Sequence, residues 1–133
     1  MTMKMYERSD STRRSSEPLV VLRESGIAFN APLARIVGDH SHVLVGYDDD
    51  TQEVLFEFTN NKKNPNALVL ASDGGRLDKA TQGRIIQCRG LYAKVPWLAS
   101  AVEWEATERR FSPKRGAAAN IWTIVVVKKK RQR

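Results

Sequence analysis

The sequence has 133 residues, which is enough for a single domain with a packed core, and its hydrophobic fraction of 41% is slightly low because both tails are polar. No apolar run approaches the about 20 residues that span a bilayer, and Cys88 is the only cysteine, so the sequence excludes a transmembrane helix and an internal disulfide. The first residues mix both signs of charge without an apolar stretch, unlike a secretory signal, so we expect a cytoplasmic protein without a membrane partner.

The formal net charge of +7 is unevenly distributed along the chain. Residues 19–59 contain two basic and seven acidic side chains, whereas residues 60–127 contain eleven basic and five acidic ones. The last six residues, 128–133, add five basic side chains. This asymmetry favours an anionic partner for the second half, or else attraction between the halves with a tail that aids solubility.

The chain divides into two tails and one β-rich domain. Residues 1–18 are polar and without periodicity, and residues 128–133 form a basic tail, so we expect both to lie outside the core. The domain between them, residues 19–127, contains two similar units, at 19–59 and 68–127.

The first unit begins with two strands and a short helix. Apolar runs at 19–22 and 27–29 predict the strands. Asn30 is placed to cap a helix that has Pro32 in its first turn, where the missing N–H does no harm. Gly38 then ends the helix after two turns.

A hairpin completes the first unit, and the second unit repeats the same order of elements. The runs 43–47 and 54–58 flank an acidic turn, which predicts the hairpin. The second unit is expected to begin with a strand at 68–71, followed by a loop insertion at 76–83 and a strand at 84–88. A short helical patch marked by Leu91, Val95 and Leu98 comes next, and strands at 101–106 and 121–127 complete the unit.

The two units align on their apolar positions. Ile27 aligns with Ile86, and Ala-Arg-Ile at 34–36 aligns with Ala-Lys-Val at 93–95 without a gap. With a longer loop in the second hairpin, 54–58 aligns with 121–125. A single unit buries too little surface to be stable alone. We therefore predict an α+β, mostly antiparallel domain with pseudo-twofold symmetry, either barrel-like or sandwich-like.

Part of the chain resembles a known family. The residues Gly26 to Leu33, Gly38-Asp39, Val43 to Asp48 and Val54 to Phe56 resemble the swapped-hairpin AbrB-like domains of bacterial transition-state regulators and antitoxins, and small phage or plasmid proteins. The resemblance covers residues 23–59 and extends more faintly over 84–127. It implies DNA contact through Arg23 and Arg35, although the first unit is acidic and Asn30 stands where the family usually has proline.

The residues that could carry catalysis or bind a metal lack the partners that such chemistry needs. His40 and His42 require a third ligand for a metal site, and a loop exposed to solvent is the simpler interpretation. Cys88 has no activating neighbour and is predicted to be a buried thiol. Glu103 and Glu105 are predicted to share one solvated strand face, and no glycine-rich phosphate loop is present. We therefore expect neither an enzyme nor a cofactor.

The remaining candidates are basic side chains with aromatic residues between them, which suit phosphates and unpaired bases. The candidate nucleic-acid-binding residues lie around the second helical patch, in the last hairpin loop and in the tail: Arg84, Arg89, Lys94, Arg109, Arg110, Phe111, Lys114, Arg115, Lys128, Lys129, Lys130, Arg131 and Arg133. Phe111 and Trp97 are the aromatic residues expected to be exposed, whereas Trp104 and Trp122 are expected in the core.

Two functions remain open. The first is a small regulator or accessory factor that binds nucleic acid, DNA rather than RNA, without catalysis. The second is a protein-interaction module, of a kind found in phages or plasmids, that binds and modulates a host protein. The chain can be a monomer closed on itself or a homodimer.

Overall fold

The structure, a computed structural model, describes residues 17–73 and 83–128. Most of both predicted tails and nearly all of the predicted loop insertion therefore lie outside the described residues. The described residues form an α+β protein with two antiparallel sheets and few helices, which confirms the predicted fold class at this level. No helix among them is long and apolar enough to cross a membrane.

The strands are short, and every described pairing is antiparallel. In chain order they are β1 (Val20–Leu22), β2 (Gly26–Phe29), β3 (His42–Asp48), β4 (Glu53–Thr59), β5 (Leu68–Val69), β6 (Ala71–Asp73), β7 (Gly83–Gln87), β8 (Arg110–Phe111), β9 (Lys114–Arg115) and β10 (Ile121–Val125). The first sheet has the order β6-β7-β2-β1-β8, and the second has the order β5-β3-β4-β10-β9.

Two segments of chain pass from one sheet into the other. Leu70 alone separates β5 from β6, and only Ser112 and Pro113 separate β8 from β9. Each segment is an edge strand in both sheets, as at the corners of orthogonally packed sheets. The described pairings give two five-stranded sheets and not a closed barrel.

The two halves of the chain meet through one strand pair in each sheet. In the first sheet β2 pairs with β7, so that Ile27 lies opposite Ile86. In the second sheet β4 pairs with β10, so that Phe56 lies opposite Trp122. Residues directly opposite each other share a face of the sheet, so these pairs build the core from both halves.

The helix α1 (Ala31–Val37) forms where the sequence predicts it. The Asn30 side chain accepts a hydrogen bond from the backbone N–H of Leu33 at 3.1 Å, and Pro32 lies in the first turn. The helix ends at Gly38, whose φ of 81° suits glycine. Leu33 and Val37 face the core.

The second helical region differs from its prediction. Two helices, α2 (Arg89–Lys94) and α3 (Pro96–Ala101), replace the single patch because Pro96 cannot continue the first of them. The strand predicted over 101–106 is wrong: α3 occupies its beginning, a turn follows, and a 3₁₀-helix begins at Ala106 and ends at Arg109. The apolar residues that alternate in this stretch lie at the end of a helix and in the turn after it, and not on a sheet face. Ala101 is buried there and Val102 is half-buried.

The core lies between the two sheets and under the helices. The ring centre of Phe29 in the first sheet is 5.1 Å from the ring centres of both Phe56 and Phe58 in the second, in edge-to-face contacts. Val95, Leu98 and other residues of the α2–α3 region belong to the same buried cluster. Burial of these side chains supplies most of the stabilisation that the short strands and helices lack on their own.

Candidate functional site

Three exposed basic side chains lie on the segment that joins β8 to β9. Arg110 is on β8, and Lys114 and Arg115 are on β9. Within residues 17–73 and 83–128, no carboxylate lies within ion-pair distance of any of the three. We call Arg110, Lys114 and Arg115 the basic edge, because they occupy the edge strands of the first and second sheets.

The chain leaves β10 beside the same segment. Lys128 Nζ is 3.5 Å from the Glu108 carboxylate oxygen Oε2 and 5.9 Å from the ring centre of Trp104. At the other end, Arg115 pairs with Trp122 across β9 and β10. These two contacts set residues 108–115 alongside residues 121–128, so the predicted basic tail begins next to the basic edge.

Arg115 is held in place by an aromatic ring. Its guanidinium carbon lies 5.4 Å from the ring centre of Trp122, whose Nε1 donates to the carbonyl oxygen of Ala119 at 3.2 Å. Trp122 is 6% exposed, which confirms its predicted place in the core. Trp104, also predicted in the core on a strand, is half-buried and lies in the turn after α3. Arg115 thus has a cation–π contact with Trp122 while its side chain stays exposed.

The hairpin between β9 and β10 is short and narrow. Gly116 donates its N–H to the carbonyl oxygen of Ile121 at 2.7 Å, and a Cβ at Gly116 would lie 2.7 Å from the Ile121 side chain. The alanines at 117–119 are all exposed. A tip of such small side chains lets another molecule approach the backbone beside Lys114 and Arg115 closely.

Phe111 and Trp97, the two aromatic side chains expected to be exposed, are buried and half-buried respectively. Phe111 is 7% exposed and lies opposite Val20 in the first sheet, so it belongs to the core and the prediction that it stacks on bases is wrong. Its neighbour Arg110 points away from the core because successive strand residues face opposite sides. Trp97 is half-buried, and its Nε1 donates to Asp49 Oδ1 at 2.8 Å.

The other predicted cations are not all part of the basic edge. Arg84 lies on β7, which β2 and β1 separate from β8, and its Nη1 donates to Ser72 Oγ at 2.9 Å. Arg89 and Lys94 are exposed on α2, beyond the opposite end of β7. The remaining predicted cations lie outside the described residues: Lys129, Lys130, Arg131 and Arg133.

Arg109 is half-buried and lines a pocket beside the 3₁₀-helix. Its Nη1 donates to the carbonyl oxygen of Val102 at 3.0 Å, while its buried Nε has no hydrogen-bond partner among the described residues. The pocket has a volume of about 360 Å³. The lining residues come from four separate parts of the chain: Glu24, Tyr92, Ala99, Val102, Glu103 and Arg109. Among them, only Arg109 was a candidate nucleic-acid-binding residue from sequence, and nothing in the sequence places Glu24 near α3.

The wall of the pocket at Tyr92 is tied to β2. The Tyr92 hydroxyl donates to the carbonyl oxygen of Gly26 at 2.7 Å, and burial raises the pKa of Tyr92, with the neighbouring Cys88 adding to the rise. Burial also raises the pKa of the Cys88 thiol to about 11, against which a hydrogen bond with Tyr92 acts weakly. Cys88 is therefore buried and protonated at neutral pH, which confirms the predicted buried thiol and gives it no nucleophilic character.

The histidine pair shows no ligand set for a metal ion. Ser41 Oγ and His42 Nδ1 are 2.7 Å apart, and the His40 ring lies 6.3 Å from that of Phe58. Among the described residues, no group of three His, Cys, Asp or Glu side chains is close enough to hold a metal.

Comparisons of the chain with protein-family models, with curated proteins and with solved structures find no match. The geometry of the basic edge is therefore the basis for the functional proposals below.

Proposed function

We propose that this protein binds nucleic acid, DNA rather than RNA, through the basic edge and the C-terminal tail, as a cytoplasmic regulator or accessory factor without catalysis. The observation that carries the proposal is the position of Arg110, Lys114 and Arg115 on one exposed edge segment, where none of the three forms an ion pair within the described residues. Unpaired surface cations neutralise phosphates, and the release of counterions then supplies most of the affinity.

The narrow hairpin between β9 and β10 supports a groove contact. Its alanine tip is small, and Lys114 and Arg115 stand directly before it. The hairpin forms the edge of the second sheet, and strands of a sheet can contact DNA in the major or minor groove. Because Phe111 lies in the core and cannot stack on bases, we expect the basic edge to bind through phosphate contacts.

We also propose that the two units are related in the way that the AbrB-like resemblance implies, with one chain in place of a dimer. Support comes from the pairing of Ile27 with Ile86, the residues that the sequence alignment matches, since a twofold axis pairs equivalent residues. The alignment of the hairpins needs a shift of one residue, because the buried residues Phe56 and Phe58 then match the buried Ile124 and Val126. The third strand of the second unit would be the β8–β9 segment.

The test of nucleic-acid binding is a salt titration followed by fluorescence anisotropy with labelled duplex and single-stranded oligonucleotides. About five phosphate contacts predict a loss of affinity of roughly 10²- to 10³-fold between about 50 and 200 mM salt. Retention of neither duplex nor single strand at the lowest salt would show the proposal to be wrong. Removal of residues 129–133 tests the tail, because unchanged affinity would exclude it from the interface.

A pair of matched variants separates the basic edge from general charge attraction. Arg110→Gln with Lys114→Gln removes two exposed charges from the edge, and we expect the salt slope to fall by about two contacts. Lys62→Gln with Lys63→Gln removes the same charge from the exposed connector between β4 and β5. An equal loss of affinity in both double variants would contradict a localised interface.

A second candidate is the protein-interaction module that binds and modulates a host protein of the cell in which a phage or plasmid resides. It is favoured by the acidic hairpin tip at 48–50 and by the exposed side chains of Val125 and Val127, which are 42% and 50% exposed. Capture from a nuclease-treated lysate distinguishes the two candidates. One protein recovered in a fixed ratio, together with no nucleic-acid binding at low salt, would favour this second function.

A further inference from the structure

Exposure alternates along the segment that carries the chain from β8 into β9. Phe111 is 7% exposed and belongs to the core, whereas Arg110, Ser112 and Lys114 are all exposed. Because successive side chains of an extended chain face opposite sides, these three residues form one row that faces solvent. We call Arg110, Ser112 and Lys114 the outer row.

The strand pairings place both ends of the outer row away from the core. On β8, Arg110 lies opposite the half-buried Val21, and on β9, Lys114 lies opposite the half-buried Thr123. Residues directly opposite each other share a face, and the buried residues of these strands lie on the other face. Ser112 therefore lies between two cations that face solvent, each two residues away, or about 7 Å along an extended chain.

The hydroxyl of Ser112 has no partner within residues 17–73 and 83–128. Neither Arg110 nor Lys114 forms an ion pair within the same ranges. A serine hydroxyl can donate one hydrogen bond, and it carries no charge of its own. The outer row thus presents a neutral donor between two cations, a combination that suits the oxygen atoms of a phosphate.

We propose that Ser112 is a further phosphate-binding residue, whose hydroxyl donates to an oxygen of the nucleic-acid backbone between the contacts of Arg110 and Lys114. This role rests on the proposed nucleic-acid binding and adds a neutral contact to it. The cations supply affinity through the release of counterions, whereas a hydroxyl contact releases none and fixes where the phosphate lies. The two kinds of contact therefore respond differently to salt.

The experiment is the salt titration by fluorescence anisotropy, carried out on the full chain with Ser112→Ala. We expect a loss of affinity of roughly three- to tenfold at every salt concentration, with an unchanged salt slope because no charge is removed. Lys114→Gln should instead lower the slope by about one contact. Ser72→Ala is the matched control and should keep the full affinity, since it removes an exposed hydroxyl from β6 at the opposite edge of the first sheet.

Two further arms test the kind of contact. Ser112→Ala should weaken binding by the same factor on two duplexes of unrelated sequence, because both carry the same phosphates. Ser112→Asp should weaken binding more than Ser112→Ala, because a carboxylate at this position repels the phosphate. Equal affinities of Ser112→Ala and Ser72→Ala, a loss confined to one duplex, or an aspartate variant that binds as well as the alanine variant would overturn the role of Ser112 alone. Failure of the unsubstituted chain to retain any oligonucleotide at the lowest salt would overturn both this role and the proposed function.

Discussion

A helical segment follows β2 in the first half of the chain and another follows β7 in the second half, and the two are stabilised differently. α1 has a side-chain cap at Asn30 and ends at Gly38, whose φ is positive at 81°. α2 begins after Cys88, which makes no side-chain cap bond, and ends at Val95, where α3 begins at once. The first helix is therefore specified by residues at its own ends.

In the second half of the chain, long-range contacts fix the position of the helical segments. The Tyr92 hydroxyl binds the carbonyl oxygen of Gly26, 66 residues earlier, and Val95 and Leu98 are fully buried. The difference teaches that a short helix after a strand can be fixed by local capping or by burial against distant strands. Substitutions that act on one of these two sources of stability test the comparison.

The largest effect is expected at the junction of the two halves, for Gly26→Ala. A Cβ at Gly26 would overlap the carbonyl oxygen of Ile86 on the paired strand β7, and backbone atoms cannot move aside without breaking the pairing. We expect a loss of about 3 kcal/mol or more in the free energy of unfolding, measured by urea denaturation.

Gly46→Ala is the control for that substitution. The Cβ there would meet only the Leu55 side chain at 3.8 Å, an ordinary contact, so we expect little change in stability. If both substitutions cost the same, the close approach of β2 and β7 does not determine the stability of the junction.

The next largest effect is expected for Asn30→Ala in the first half. The Asn30 side chain accepts from the N–H groups of Leu33 and Leu19, at 3.1 and 2.9 Å, and donates to the carbonyl oxygen of Glu17 at 2.7 Å. Loss of a cap together with a strand contact should cost about 2 kcal/mol in urea denaturation. Asn61→Ala, which removes one exposed bond to the N–H of Lys63, should cost much less, and an equal cost would contradict the capping role.

These contrasts explain how much of the fold could be predicted from the sequence. The cap at Asn30, the end at Gly38 and the first hairpin depend on neighbouring residues, and all three predictions are confirmed. The predicted strand over 101–106 failed because its alternating pattern arises from a helix end and a turn, where burial comes from distant contacts.

The candidate site could be predicted only in part for the same reason. Runs of basic residues mark Arg110, Lys114 and Arg115 in the sequence, and the structure exposes all three. The burial of Phe111 follows from the pairing of β8 with β1, which no local pattern indicates. The pocket joins Glu24 to residues almost seventy positions and more along the chain, so only the folded structure identifies it.

Alkaline pH tests the dependence of the second half on burial. Burial raises the pKa of Cys88 from its ordinary value of 9.0 to about 11, so the folded state holds the proton more tightly than the unfolded state. This contribution is complete below about pH 9 and is lost as the pH rises toward 11. We expect the urea midpoint to fall between about pH 9 and pH 11, and to fall less in Cys88→Ala. A midpoint constant over this range would contradict the burial.

A smaller effect is expected where the hairpin of the first half touches the second half. Trp97 Nε1 on α3 donates to Asp49 Oδ1 at 2.8 Å, in an exposed position. Asp49→Ala should cost about 1 kcal/mol and increase the quenching of Trp97 fluorescence by iodide. Asp50→Ala removes the same charge at the neighbouring position, where the described residues show no side-chain bond, and should leave both measurements unchanged.

The smallest effect is expected for Gly90→Ala, and it has the opposite sign. Gly90 lies in α2 at the position that the alignment matches to Ala31 of α1, and a Cβ there would meet no atom within 4 Å. Alanine lowers the conformational entropy of the unfolded chain and favours a helix, so we expect a gain of about 0.5 to 1 kcal/mol in urea denaturation. Gly38→Ala, where φ is 81°, should instead lose stability. A loss at Gly90 as well would mean that α2 needs glycine there, and that its backbone is set by contacts with the rest of the fold and not by helix propensity.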